Sequence, residues 1–361
     1  MIVKIGYVSG DFRRHSVANF LLPVFRHHDR NSFQIFCYSN NAWTDDVTER
    51  LTAASDQWRR IFGLDDEAAA KLIAEDGIDV LVDLSGHTAN NRLSLFARQP
   101  APVQVTWLGY PGSTGVEAIK YRLVDAITDP PGEADAHYSE RLIRLDRGFL
   151  CYAPLDEAPE PVMRPEGPVR FGSFNNPAKL SPATLELWVK VLEAVDGAEL
   201  VLKGRSFADP QMRQTLLNRF GKRGIALERI VLLEHMAAPE RHMAAYGEVD
   251  IGLDPFPYNG TTTTCEALWM GVPVVTMLGA RHSARVGASL LTRVGLDSLI
   301  ARDELDYVRL AADLARDYRR RAGLRSKLRA MMQNSPLCDG PGFTRQLEET
   351  YRGMVEGQWS K

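Results

Sequence analysis

Short runs of β-branched and aromatic residues alternate with helical patterns along nearly the whole chain, and this alternation restricts the fold more than any other feature. Over the first 150 residues it predicts strands at 3–8, 33–38, 78–84 and 103–108. Helices are expected at 17–25, after Trp43, at 66–75 and around 92–97. Strand and helix in turn at this spacing build a parallel, doubly wound sheet. From Phe149 the pattern breaks, and Pro154, Pro159, Pro161, Pro165 and Pro168 crowd a short span with linker chemistry. Alternation then restarts, with strands at 169–174, 199–203, 229–233, 249–253 and 272–277 and helices at 182–194, 240–246 and 264–270. The expected architecture is α/β: two doubly wound, Rossmann-like domains, 1–150 and 169–335, joined by a Pro-rich linker at 151–168 and followed by a C-terminal helical segment at 336–361. Domains of this kind bind ligands at the carboxyl ends of their strands, so the cleft they face is the expected site.

A chain of 361 residues exceeds what one core ordinarily serves, in agreement with two domains. Its 43 Lys and Arg against 46 Asp and Glu give a net charge of −3, which supplies no global pull toward nucleic acid or an anionic membrane. The basic stretch 315–329 reads as a solvated helix face, because Leu324, Leu328 and Met331 recur beneath its charges. Cys37, Cys151, Cys265 and Cys338 lie far apart, with no Cys-x-x-Cys pair and no zinc-ligand spacing, so no metal site and a reducing compartment are expected. The N-terminus reads as a strand rather than a signal peptide, and no window is apolar enough to span a membrane, which predicts a cytoplasmic protein. No repeat or low-complexity tract interrupts the chain.

Three regions carry residues suited to chemistry. The segment Asp254-Pro-Phe-Pro-Tyr-Asn-Gly-Thr-Thr-Thr-Thr-Cys-Glu-Ala-Leu-Trp runs from a strand end through a Pro/Gly turn into a helix whose start is rich in hydroxyls. Unpaired N–H groups and a partial positive charge at a helix N-terminus suit a phosphate or diphosphate. Capping is the plain alternative for one threonine, though not for four. The segment Arg170-Phe-Gly-Ser-Phe-Asn-Asn-Pro-Ala-Lys-Leu-Ser-Pro places Lys179 in a strand-end loop, where its ammonium either neutralises a leaving diphosphate or is an ordinary exposed charge. Histidine supplies the candidate general base. His15, His87 and His242 follow strand ends or lie close to one, whereas His27 and His28 read as surface positions at a helix end.

Together these segments resemble the catalytic region of the family-41 glycosyltransferases, the O-GlcNAc transferases and the SPINDLY O-fucosyltransferase, with most likeness to the SPINDLY branch. The resemblance runs from Val3 to Trp359 and rests on several motifs. They are Gly86-His-Thr-Ala-Asn-Asn, Pro100-Ala-Pro-Val-Gln-Val-Thr-Trp-Leu-Gly-Tyr-Pro, Phe149-Leu-Cys-Tyr, Gly172-Ser-Phe-Asn-Asn, Asn259-Gly-Thr-Thr-Thr-Thr-Cys-Glu, Gly271-Val-Pro and Ser335-Pro-Leu-Cys-Asp-Gly-Pro. It implies a GT-B fold with an acceptor-side first domain and a nucleotide-sugar-binding second domain. It further implies that Lys179 contacts the donor diphosphate with Asn176 beside it, and that His242 packs near the donor base. Gly260, Thr261, Thr262 and Thr263 then meet the phosphates, Glu266 stands where a ribose-binding aspartate does, and His15 matches the active-site histidine. His87 is a further candidate. Thr261 replaces a histidine, Pro239 a ribose-binding lysine and Ala245 an arginine, which departs from UDP-GlcNAc recognition and agrees with the SPINDLY form, whose plant member uses GDP-fucose.

The expected function is protein O-glycosyl transfer from GDP-fucose or UDP-GlcNAc to Ser/Thr hydroxyls, without metal or cofactor. The family's tetratricopeptide repeats are not present in this sequence, so acceptor selection falls to missing repeats or to a separate repeat protein. A flagellin or small-molecule acceptor, a nucleotide-sugar epimerase and a non-catalytic nucleotide-sugar-binding module are the alternatives.

Overall fold

The architecture follows from where the apolar runs bury themselves in a computed structural model that describes residues 2–165 and 167–358. Met1, Glu166 and 359–361 lie outside the described residues, and with them the Trp359 end of the motif resemblance. The chain divides into two compact units, Met1–Leu155 with Pro336–Lys361 and Asp156–Ser335.

The first unit holds a parallel sheet of β1 (Val3–Ser9), β2 (Phe33–Ser39), β3 (Gln57–Arg60), β4 (Val80–Asp83), β5 (Val103–Thr106), β6 (Tyr121–Val124) and β7 (Arg141–Arg144) in the order β3-β2-β1-β4-β5-β6-β7. Successive strand side chains face opposite ways, and both faces are covered. Val80 and Val82 join one core with Val17 and Leu21 of the helix Ser16–Phe25, while Leu81 joins the other with Ile73 and Leu95. The helix Gly340–Val355 returns to this unit because Phe343, Leu347, Tyr351 and Met354 fill the first core, and Phe343 stacks on Trp107 with centroids 6.0 Å apart. His28, expected at the surface, is buried. Its Nδ1 meets Glu348 Oε1 of that helix at 2.9 Å and its Nε2 the Tyr7 hydroxyl at 3.2 Å, so polar partners replace the water it loses.

The second unit repeats the plan with β8 (Arg170–Ser173), β9 (Glu199–Lys203), β10 (Ile230–Leu233), β11 (Ile251–Leu253), β12 (Val274–Met277) and β13 (Ile300–Ala301), ordered β10-β9-β8-β11-β12-β13 and parallel throughout. Glu160 and Arg164 tie the proline-rich stretch to this unit, Arg164 pairing with Asp250 at 3.0 Å and Arg329 with Glu160 at 3.2 Å. Strands β3, β6, β7 and β13 and the helices Pro210–Gly221, Val286–Val294 and Glu304–Arg316 have no counterpart in the sequence reading. Gln57-Trp-Arg-Arg is an edge strand without an apolar run, and edges tolerate such polarity.

The basic stretch corrects its own reading. It forms the helix Tyr318–Gln333, but Arg325 is 4% exposed and points inward. Its guanidinium donates to the carbonyls of Met270 (3.1 Å) and Val249, while Arg329 donates to the carbonyl of Trp269 (2.9 Å). Burial lowers the Arg325 pKa to about 10. Trp269 and Met270 end the helix Thr262–Trp269, so these arginines satisfy carbonyls that a helix end leaves unpaired.

Candidate functional site

In each sheet the winding reverses at one place, between β1 and β4 in the first and between β8 and β11 in the second. Loops leaving such a switch point part to opposite faces and open a crevice at the carboxyl ends of the strands. Both crevices are organised by a buried aspartate. At the end of β4, Asp83 accepts from Thr106 Oγ1 of β5 at 2.8 Å and from the amides of Ser85 and Gly86. Directly after β11, Asp254 accepts from Thr276 Oγ1 of β12 at 2.7 Å and from the Gly260 amide at 2.6 Å.

Lys179 reaches the second crevice from the loop after β8. Its ammonium donates to the Asn259 carbonyl at 2.7 Å and lies 4.3 Å from the centroid of the Tyr258 ring. Burial lowers its pKa to about 8, against the pull of Asp254, and burial likewise raises Asp254 to about 6 against the hydrogen bonds it accepts. Asn259 is itself fixed: it is 2% exposed, its amide donates to Ser283 at 2.8 Å, and its side chain accepts from Gly287 N at 3.2 Å. Asn176 does not reach into this group through its side chain, which instead accepts from Ala178 N at 3.0 Å and starts the turn Pro177–Lys179.

The threonine run does not serve as a simple cap. Thr261 stands at the N-cap position of Thr262–Trp269 without a side-chain capping bond, and the amides of Thr262, Thr263 and Thr264 have no acceptor among the described residues. Thr263 Oγ1 donates to Asn175 Oδ1 at 2.9 Å, tying the helix start to the loop after β8. Gly260 makes this approach feasible, since a Cβ there would stand 2.6 Å from Thr263 Oγ1 and 2.7 Å from Thr264 Oγ1. Behind the start of this helix, His242 Nε2 lies 3.0 Å from Glu266 Oε2, and Lys203 Nζ lies 2.5 Å from His242 Nδ1.

In the first unit His15 caps the helix Ser16–Phe25, its Nδ1 accepting from Val17 N at 3.4 Å. Asp11 Oδ2 is 3.8 Å from the same nitrogen. Burial holds the His15 pKa below its ordinary value, with Asp11 opposing and Arg13 reinforcing the shift. His87 is exposed, edge-on to Tyr110 with centroids 5.1 Å apart. The loops carrying the two histidines touch where Gly10 meets Asn90, at a point where a Cβ would come within 2.7 Å of the Asn90 Cβ. Among the described residues no group of three or more His, Cys, Asp and Glu is placed to hold a metal ion. No helix among them is long and apolar enough to cross a membrane.

A family model for glycosyl transferase family 41 matches residues 2–153 and 160–347. The chain belongs to this family. It is 46% identical over 358 residues to a rice protein named as a probable UDP-N-acetylglucosamine–peptide N-acetylglucosaminyltransferase SPINDLY, covering 97% of this chain and 38% of that protein. The Arabidopsis thaliana SPINDLY protein, likewise named, is 44% identical over 99% of this chain and 40% of its own length. The chain thus spans about two fifths of the curated relatives it matches. A solved O-GlcNAc transferase of Thermobaculum terrenum superposes with a TM-score of 0.93 at 43% identity, over 98% of this chain and 68% of that one. Anabaena HepE solved with UDP shares the fold, with a TM-score of 0.61 at 14% identity over 98% of this chain and all of that one. These likenesses place the two units in the GT-B class.

Within this family-41 chain the sequence reading gave no role to Lys203, Asn175 or Tyr246 and quoted Asp254 only as a strand end. Lys203 and Asp254 carry a retrospective signal, each being a charge at or just after the carboxyl end of an apolar strand. Tyr246 carries none, because only the fold brings its hydroxyl to Glu266 Oε2 at 3.0 Å. Of the three departures, Pro239 opens the helix Pro239–Ala244 and Ala245 is buried, so neither position offers a cation.

Proposed function

We propose that this chain transfers a sugar from a nucleoside diphosphate sugar to serine or threonine hydroxyls of proteins. The observation that carries the reading is the convergence of the Lys179 ammonium and the helix-start amides of Thr262–Thr264 at one switch point, a complement to a diphosphate. In the reaction the acceptor oxygen attacks the anomeric carbon with inversion and the bond from that carbon to the diphosphate oxygen breaks. The hydroxyl proton passes to His15, which its depressed pKa keeps neutral at pH 7, or to water. Lys179 and the helix terminus offset the charge that grows on the leaving diphosphate, so the step is proposed to need neither a metal ion nor a cofactor beyond the donor.

Protein as acceptor follows the names of the relatives, which specify peptide substrates. Among the described residues none of the four cysteines is in a disulfide, which fits the reducing, cytoplasmic setting we propose. The names also specify UDP-N-acetylglucosamine, whereas the cation-free positions Pro239 and Ala245 and the threonine at 261 favour GDP-fucose, which is the donor we propose. Calorimetry with GDP and UDP, followed by transfer of radiolabel from GDP-fucose and UDP-GlcNAc to proteins, tests both points. Protein labelling by enzyme first dialysed against EDTA is the expected result. Free sugar-nucleotide interconversion without protein labelling would overturn the function, and labelling from UDP-GlcNAc alone would overturn the donor.

A further inference from the structure

Lys203 ends β9 with 4% of its surface exposed, and transfer as derived above gives it no task. A buried ammonium is costly unless its hydrogens are taken up. Its Nζ lies 2.5 Å from His242 Nδ1 and 3.5 Å from the carbonyl of the same histidine, with the Phe174 ring centroid 4.5 Å away. An ammonium donates and cannot accept, so Nδ1 must present a lone pair and the imidazole proton must sit on Nε2. That nitrogen faces Glu266 Oε2 at 3.0 Å, an oxygen that also accepts from the Tyr246 hydroxyl at 3.0 Å. At neutral pH the lysine is charged, since burial lowers its pKa only to about 8 while Glu266 opposes the shift. With the lysine charged, the chain from Lys203 through His242 to Glu266 has one consistent proton arrangement.

We propose that Lys203 is a positioning residue of the nucleotide site: it holds His242 as a neutral imidazole protonated on Nε2 and braced against Glu266, so that the ring meets a nucleotide with its face and not with a hydrogen bond. This rests on the donor-site reading above. Both ring nitrogens are occupied, and the 25% of the side chain that stays exposed therefore offers ring carbon. Tyr246 packs against the assembly, edge-on to His242 at 88° with centroids 5.9 Å apart, and its ring lies 4.5 Å from the Phe174 centroid. Discrimination between guanine and uracil edges then belongs to groups other than His242.

The test begins with the unsubstituted protein. Long-range proton–nitrogen NMR of histidine-labelled protein at pH 7 should show His242 with an unprotonated Nδ1 and a protonated Nε2. In Lys203→Met the Nδ1 signal should move, and calorimetry should find GDP and UDP both weakened by about fivefold to tenfold, the scale of one lost hydrogen bond. The donor KM should rise by that factor while kcat changes less, and Lys203→Arg should recover most of the loss. A protonated Nδ1 in the unsubstituted protein, or ring signals that Lys203→Met leaves in place, overturns the proposal. Moved signals with unchanged affinities overturn the positioning role. Should Lys203→Met not fold, the unsubstituted ring signals and Lys203→Arg still decide. Unsubstituted protein that binds neither GDP nor UDP removes the donor-site reading itself, a failure visible before any substitution is made.

Discussion

Lys179 donates its hydrogen bond of 2.7 Å to the backbone of Asn259, 80 positions later in the chain, and so joins the loop after β8 to the loop after β11 at the point where the sheet reverses its winding. The bond holds the ammonium against the backbone three residues before the helix Thr262–Trp269. Charge-assisted contacts to phosphate contribute about 1.5–3 kcal/mol each. Lys179→Ala should therefore weaken nucleoside diphosphate binding by about tenfold or more and depress transfer further, because charge on the leaving group grows in the transition state. Calorimetry and single-turnover transfer check this, and equal affinity with equal turnover would remove Lys179 from the site.

The depressed lysine sets a pH dependence with a definite sign. Burial lowers the Lys179 pKa to about 8, so it is charged below that pH and loses its charge as pH rises through it. Diphosphate affinity should be full near pH 7 and fall progressively above 8. An anion beside the amine favours its charged form, so binding near pH 8.5 should draw protons from solution. Calorimetry in buffers of different ionisation enthalpy measures that uptake directly. Proton release, or affinity that is flat to pH 9.5, would contradict the assignment.

Thr276 and Asp254 make a third prediction. Thr276→Val keeps the shape of the side chain and removes the donor at 2.7 Å, leaving a buried carboxylate short of one partner. The loss should cost about 1–3 kcal/mol of stability, read from the urea midpoint, and should raise the Asp254 pKa above its present value of about 6. The Gly260 amide hangs from the same carboxylate, so nucleotide affinity should fall as well. A variant with unchanged midpoint and unchanged affinity would show that the aspartate does not organise the loop.

His15 combines a capping role with the proposed chemistry, and the two can be separated. Asparagine is a good N-cap, so His15→Asn should preserve the helix Ser16–Phe25 while removing the base. Transfer should drop by about a hundredfold or more with nucleotide affinity intact. In the unsubstituted protein, rate should decline with falling pH only below the ordinary histidine range, because burial lowers this pKa. A nearly normal rate in His15→Asn would assign the proton to water.

Much of this protein is legible from local pattern, for a physical reason. Strand and helix periods are set by backbone geometry, so Glu199–Lys203 and Pro182–Ala194 stand where the sequence puts them. The placement of Lys179 and of the threonine run at strand ends is local pattern as well, because a strand followed by a Pro/Gly turn and hydroxyls is a local signature, whereas the pattern leaves open whether Lys179 is a phosphate contact or an exposed charge. What failed was judgement of burial. Arg325 and His28 read as surface residues, yet each is buried against partners far away in the sequence, the carbonyl of Met270 and the carboxylate of Glu348.

The sequence by itself determined two wound sheets, the strand-end loops that bear the candidate donor site, and the family to which the chain belongs. Only the tertiary structure decided that Lys203, His242 and Glu266 form one hydrogen-bonded chain across β9 and two helices, separated by 39 and 24 positions. It alone returned the helix Gly340–Val355 to the first core and set Asp254 beneath Gly260. Periodicity is written in neighbouring residues. The pairing of a buried charge is written nowhere locally, because its cost is met by whichever distant group the packing of the core brings within reach.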